Sequence, residues 1–420
     1  MSPLYLKNVR HLDWNTCAIR AGHLRVDPGP RGGIEHVDAV PGGAEAIECG
    51  GKLVTKSFAV GHHHIYSALA RGMPPPPRVP TSFVEILELV WWRLDKALDT
   101  DMIRASAIAA GIDAARAGST FIIDHHASPN AAANSLHVIA EALDEIGLSH
   151  LLCYELSDRD GPTSLAAGLD ETHSFLENRQ GLVGLHASFT VSDSLLDKAM
   201  EIARGTGTGL HVHVAEAESD QEHCMATYGK RCIERFAEAG ALALPKTILA
   251  HCIHLNDSER ALIAGSNAWV SQQAESNANN AVGTLDAGGF PDRVFIGTDG
   301  MHGDCLAAAR AAYLAAQSHD APSPVETYER LRRVHHYLAE NDFEGDGENN
   351  LVVLDYDPPT PVTPDNWPAH VMYGLNRSHV SKVISDGRVV VDGGRCALID
   401  EEKALAFARE QAARLWKKLR

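Results

Sequence analysis

Between residues 59 and 300 the chain repeats one alternation eight times, a short apolar run of strand character followed by a stretch with helical spacing. The runs are AVGHHHIY (59–66), STFIIDHH (119–126), HLLCYEL (150–156), GLVGLHASF (181–189), GLHVHVAE (209–216), KTILAHCIH (246–254), AWVSQQAE (268–275) and RVFIGTDG (293–300). Between them lie segments such as MIRASAIAAGIDAARAG and LLDKAMEIARG, whose apolar residues recur at helical intervals. Eight strands alternating with helices predict an α/β protein of the (β/α)8 TIM-barrel class.

The flanks read differently. Up to residue 58, short apolar pieces alternate with Gly/Pro turns (VDPGPRGG, VPGGAEAIECGGKLV), which suits small strands. After about residue 345 come NLVVLDYD, then SKVISDGRVVVDGG with its Asp-Gly turn, then EEKALAFAREQAARLWKKLR, a helix that starts acidic and ends basic, as its dipole favours. A chain of 420 residues exceeds one ordinary core. The expected division is therefore a composite β-sandwich domain from 1–58 and 346–420, carrying the last helix, with the barrel, 59–345, inserted between its halves. PPPP (74–77) stiffens the loop after the first strand.

Charge narrows the partners. With 37 basic and 55 acidic side chains the formal charge is -18, a surface that repels phosphate backbones and anionic membranes. The eight cysteines contain no CxxC pair and read as reduced thiols. MSPLYLKNVRHLDW lacks the apolar core of an export signal, and no run of about 18 apolar residues occurs. The expectation is a cytoplasmic protein that binds neither nucleic acid nor membrane.

In such a barrel the active site forms at the carboxyl ends of the strands. There the sequence places His62 and His64, on one face because strand side chains alternate, with His63 pointing away. His125 and His126 end the second strand, His186 the fourth, His211, His213 and Glu216 the fifth, His251 the sixth and Asp299 the eighth. About half of the 23 histidines fall at or just beyond strand ends, which chance placement would not produce. Neutral imidazoles with one carboxylate suit Zn2+, and convergence at a barrel mouth favours a catalytic over a structural ion.

In this order H-x-H (His62, His64), H-x-x-E (His213, Glu216), A-H-C (His251) and G-T-D-G (Asp299) resemble the amidohydrolase superfamily, in particular its aminohydrolase branch with guanine deaminase and the triazine hydrolases. WWRLDKALD (91–99), IDHHASP (123–129), HASFTVSD (186–193) and ESNANNAVG (275–283) are similar to the SsnA-type aminohydrolases within it. Two stretches depart from that group. Ala59, Val60 and Gly61 stand where Pro-Gly is usual, and NDFEGDGENN replaces a Gly/Ala-rich segment before Leu351.

The resemblance implies a metal-dependent hydrolase barrel that holds one divalent ion through His62, His64, His213 and Asp299, Zn2+ first, with Fe2+ or Mn2+ as alternatives. It implies Glu216 as proton shuttle, His251 as the residue that orients the attacking hydroxide, and Asp299 as a second proton acceptor. A carboxylated lysine bridging two metals is ruled out, since the only lysine between residues 150 and 212 is Lys198 in a helical stretch; Glu155 is the one substitute. Substrate contacts are expected from His126, His186, Asn277 and Arg71. Trp91 and Trp92 are expected to split, one walling the pocket and one packing inside. The expected activity is hydrolytic deamination of an amino-substituted nitrogen heterocycle by a homodimer. The alternatives are opening of a cyclic amide, displacement of another ring substituent, or a silent ligand-binding barrel.

Overall fold

The computed structural model describes residues 2–290 and 292–420. All eight expected barrel strands are present: Phe58–His63, Ser119–His126, Ser149–Leu156, Val183–Ala187, Leu210–Val214, Ile248–His251, Trp269–Gln272 and Val294–Ile296. Each pairs in parallel with the next. The eighth meets the first where the Thr298 and Asp299 amides donate to the His62 carbonyl at 2.9 and 3.0 Å. The seam of the TIM barrel thus falls among the candidate metal ligands.

Alternation carries each strand from an apolar end to a polar one. Phe121 and Ile123 precede His125, Leu151 and Cys153 precede Glu155, and Phe295 precedes Asp299 at every second position. Phe121, Leu151, Ile248, Trp269 and Phe295 make an apolar floor, covered by Val334, Tyr337 and Leu338 of the helix Pro324–Glu340. At Gly61 a Cβ would lie 2.5 Å from the Phe295 ring and 2.7 Å from the Ile296 carbonyl, so only glycine lets the first strand pass the floor. Pairing with the second strand is irregular between Val60 and His63, at the triple histidine.

Strands from both chain ends form the second body. Leu53–Lys56 pairs antiparallel with Leu351–Leu354, joining the two halves into one sheet of nine strands. The hydrogen bonding runs continuously through the expected composite β-domain, because the two halves contribute adjacent strands that satisfy each other's edges. Val54, Val353 and Ile384 pack with Leu4, Leu6 and Leu24 on one side, while Leu53, Val352 and Val383 join the main core. Lys56, only 2 % exposed, donates to the Asp346 and Gly347 carbonyls at 2.9 Å each, so the departing NDFEGDGENN stretch anchors this seam. The last helix, Glu401–Leu419, lies on the barrel helix Thr100–Arg116; Trp416 Nε1 donates to the Leu69 carbonyl at 2.8 Å. We propose the chain division of 1–58 with 346–420, and 59–345. Among the described residues no helix is long and apolar enough to cross a membrane.

Candidate active site

His64 Nδ1 lies 2.7 Å from the His125 carbonyl and His213 Nδ1 lies 2.7 Å from the His186 carbonyl. Carbonyls only accept, so both Nδ1 atoms carry the proton and both Nε2 atoms present lone pairs. Those two Nε2 atoms face each other across 3.1 Å, and His64 Nε2 is also 3.1 Å from Asp299 Oδ1. His62 is fully buried, its Nε2 has no hydrogen-bond partner and stands 3.6 Å from the same carboxylate oxygen. Lone pairs converging on a carboxylate without a donor between them are what a cation satisfies, and three imidazoles with one carboxylate are a fitting set for Zn2+. Burial disfavours charge on His64, but the Asp299 carboxylate outweighs it and raises the ring to about 9. Burial drives His62 down to about 3 and His213 well below the ordinary range.

Backbone turns aim the remaining groups. Three residues beyond His213, Glu216 would leave the inner face of a straight strand, but Ala215 is left-handed (φ 49°), held by its amide on Asp220 Oδ2 at 2.8 Å. Glu216 is thereby turned into the pocket, with Oε2 3.5 Å from His251 Nε2. Burial and the nearby Asp299 carboxylate push Glu216 well above the usual carboxylate range. His251 itself (φ 74°) receives Asn277 Nδ2 on Nδ1 at 2.7 Å, which leaves the proton on Nε2, facing Glu216 and, at 3.9 Å, Asp299. Burial lowers this ring to about 4, so it is neutral near pH 7.

The pocket opens beside these groups between Tyr66, Phe83, Leu87, Trp91 and Trp92 on one side and Ser276, Asn279, Asn280 and Met301 on the other, with Glu155 and His186 in its wall. Both tryptophans line it, against expectation. The segment Leu87–Trp91 is a π-helical turn closed by the Trp92 amide on the Leu87 carbonyl, and this wider turn lets two neighbours reach one cavity.

A sequence profile of the amidohydrolase family matches residues 60–331. The chain belongs to the amidohydrolase family. It is 26 % identical over 434 aligned positions, covering 94 % of this chain and 95 % of the relative, to a 5-methylthioadenosine/S-adenosylhomocysteine deaminase of Desulforamulus reducens. It is 28 % identical over 347 positions, 77 % of this chain and 78 % of the other, to a 5'-deoxyadenosine deaminase of Methanopyrus kandleri. In fold it is similar to an adenosine deaminase from Xanthomonas campestris with bound zinc, at a TM-score of 0.83, 17 % identity and coverage of 99 % and 98 %. It is similar also to atrazine chlorohydrolase from Arthrobacter aurescens TC1 complexed with zinc, at 0.82, 17 % identity and coverage of 97 % and 100 %.

The amidohydrolase pocket receives some of the expected substrate contacts and not others. His186 lines it, but its Nδ1–H is spent on Thr190 Oγ1 at 2.6 Å, whose hydroxyl donates to the Ala187 carbonyl; burial lowers the ring to about 4. It therefore offers the pocket an acceptor on Nε2. Asn277 is 1 % exposed and holds His251, so it is a positioning residue rather than a substrate contact. His126 Nε2 pairs with Ser128 Oγ at 2.9 Å behind Tyr66. Arg71 is mostly exposed, 3.7 Å from Asp113, outside the pocket lining. His63 turns away onto Thr298 Oγ1 at 2.9 Å, and His302 pairs with Glu275 at 2.6 Å. Sequence reasoning placed His211 at a strand end without a role; its Nε2 contacts His62 Nδ1 at 2.8 Å and fixes which nitrogen of His62 is free.

Proposed function

We propose that this amidohydrolase is a zinc-dependent hydrolytic deaminase that adds water at the amino-bearing carbon of a nitrogen heterocycle and releases ammonia. The observation that carries the reading is Glu216 turned back beside His251 and the His62, His64, His213 and Asp299 cluster, with His64, His213, Glu216, His251 and Asp299 lining one pocket and His62 buried just behind it. The cluster would hold one divalent ion, zinc before iron or manganese; when bound, it supplies Lewis-acid activation of water near neutral pH. Glu216 takes the proton from water and passes it to the ring nitrogen. His251 donates through Nε2 toward the oxygen that adds to carbon. As the carbon–nitrogen bond breaks, Asp299 receives the remaining water proton and returns it to the leaving amine. The relatives named as adenosine-type deaminases support an aminopurine as the first ring to try. The neighbour named a chlorohydrolase supports, as second reading, the same site displacing another ring substituent. A cytoplasmic homodimer belongs to the proposal and is checked by sedimentation.

The test is metal content per chain, then ammonia release across aminopurines, aminopyrimidines and aminotriazines before and after chelation. One zinc per chain, with ammonia release lost on chelation and restored by zinc, is the expected result. Zinc without ammonia from any ring transfers the weight to the second reading, and full activity in metal-free protein overturns both.

A further inference from the structure

Across the pocket from Glu216 lies a second carboxylate that the deamination chemistry does not use. Glu155 ends the third barrel strand, its side chain 3 % exposed, and it lines the same cavity as His186 and His213. Its protein partners are poor. Arg159 Nη2 reaches Oε1 only at 3.5 Å, and Oε2 faces His125 Nδ1 at 3.4 Å. His125 uses Nε2–H on the carbonyls of Leu185 and His211, at 3.2 and 3.1 Å, so its Nδ1 is an acceptor turned toward an acceptor. Arg159 is itself locked, in contact with Asp95, 3.2 Å from Asp160 and stacked on Trp92 at 5.1 Å. A desolvated carboxylate with so few donors is costly unless something else donates to it.

The neighbouring wall has the same deficit. His186 has spent its proton on Thr190 and keeps an unshared pair on Nε2, and the Trp92 ring lies edge-on to it at 6.0 Å. We propose that Glu155 and His186 form an acceptor pair that selects heterocycles carrying a second donor, a ring N–H or a further amino group, beyond the amino group that leaves. The substrate class is then a cyclic amidine or guanidine edge of the diamino or amino-lactam type, and N-alkylation at that edge abolishes recognition. This rests on the deaminase reading for the reacting carbon, while Glu155 and His186 bind the far edge whatever bond is broken.

The experiment is calorimetric binding to zinc-loaded protein of matched pairs: guanine with 1-methylguanine, 2,4-diaminopyrimidine with its 2-dimethylamino analogue, and 2,4-diaminotriazine with its dimethylamino analogue. Ammonia release is recorded separately. Wild type is expected to bind the donor-bearing member of at least one pair about 10- to 100-fold more tightly. E155Q, with zinc content and Tm unchanged, is expected to lose that preference. H186N carries the same comparison if E155Q does not fold. Equal binding within every pair, no binding at all, or a preference that survives in both variants overturns the acceptor pair. So does a second zinc per chain that E155Q removes, since Glu155 is then a metal ligand. Absence of ammonia from ligands that bind with the expected preference overturns the deaminase reading and leaves the acceptor pair standing.

Discussion

The two ends of the barrel are built from the same eight strands and obey opposite rules. At the floor, Phe121, Trp269 and Phe295 are fully or almost fully buried, and Trp269 packs on Phe295 and Tyr337 with ring centroids 6.0 and 5.5 Å apart. At the mouth, imidazole lone pairs face one another, Glu155 is buried and Glu216 half-buried, and Ala215, His251, Cys252 and Asp299 hold left-handed backbone that costs about 1–3 kcal/mol each. The floor maximises apolar contact and the mouth spends stability on positioned polar atoms. A change at one end should therefore register in a different measurement from a change at the other.

Glu216→Gln breaks the mouth most sharply. Deamination should fall about 10³-fold with zinc retained and Tm equal or higher, because a desolvated carboxyl facing the Asp299 carboxylate has been replaced by an amide of the same shape; a matching loss of Tm would show that the mouth also carries the fold. Trp269→Ala is the converse. It should cost about 3–5 kcal/mol in denaturant unfolding while zinc content and KM at 25 °C stay unchanged, and lost metal would show that the two ends are coupled. Asn277→Ala should lower kcat about tenfold with KM and stability little altered, since only the orientation of His251 is released; Asn277→Asp, which puts an acceptor where the donor stood and draws the His251 proton to Nδ1, should lower kcat at least as far.

The smallest effect is a pH dependence at the rim. Burial lowers His302, but Glu275 outweighs it, so the folded pKa lies above the ordinary value of about 6.5. A raised folded pKa stabilises fully below the unfolded pKa, and that stabilisation disappears as pH rises through the folded one. The Tm gap between wild type and Glu275→Gln should be widest near pH 6 and close by about pH 9. A gap that widens with pH would reverse the assignment.

The barrel was legible because its signal is local. Phe121, Ile123 and His125 are two residues apart, and that spacing alone puts a floor residue and a mouth residue on one inward face. The same spacing put His62 and His64 on one face, and the family resemblance added His213. The shared β-domain of the two flanks was legible in their strand-and-turn composition, but the strands that join them were not, because that depends on Leu53–Lys56 meeting Leu351–Leu354 across about 300 residues of chain.

Asn277, His186 and the tryptophan pair mark the same boundary within the site. Residue type and position could nominate them, but not say which atom each one presents. The sequence by itself determined the fold class and the set of side chains at the strand ends, through strand periodicity and the chemistry of imidazole and carboxylate. Only the tertiary structure decided that Ala215 turns Glu216 inward, that Asn277 serves His251, and that His186 and Glu155 accept rather than donate. The reason is that each depends on one backbone turn or on a hydrogen-bond partner brought in by the fold, and neither has a period that a linear pattern can carry.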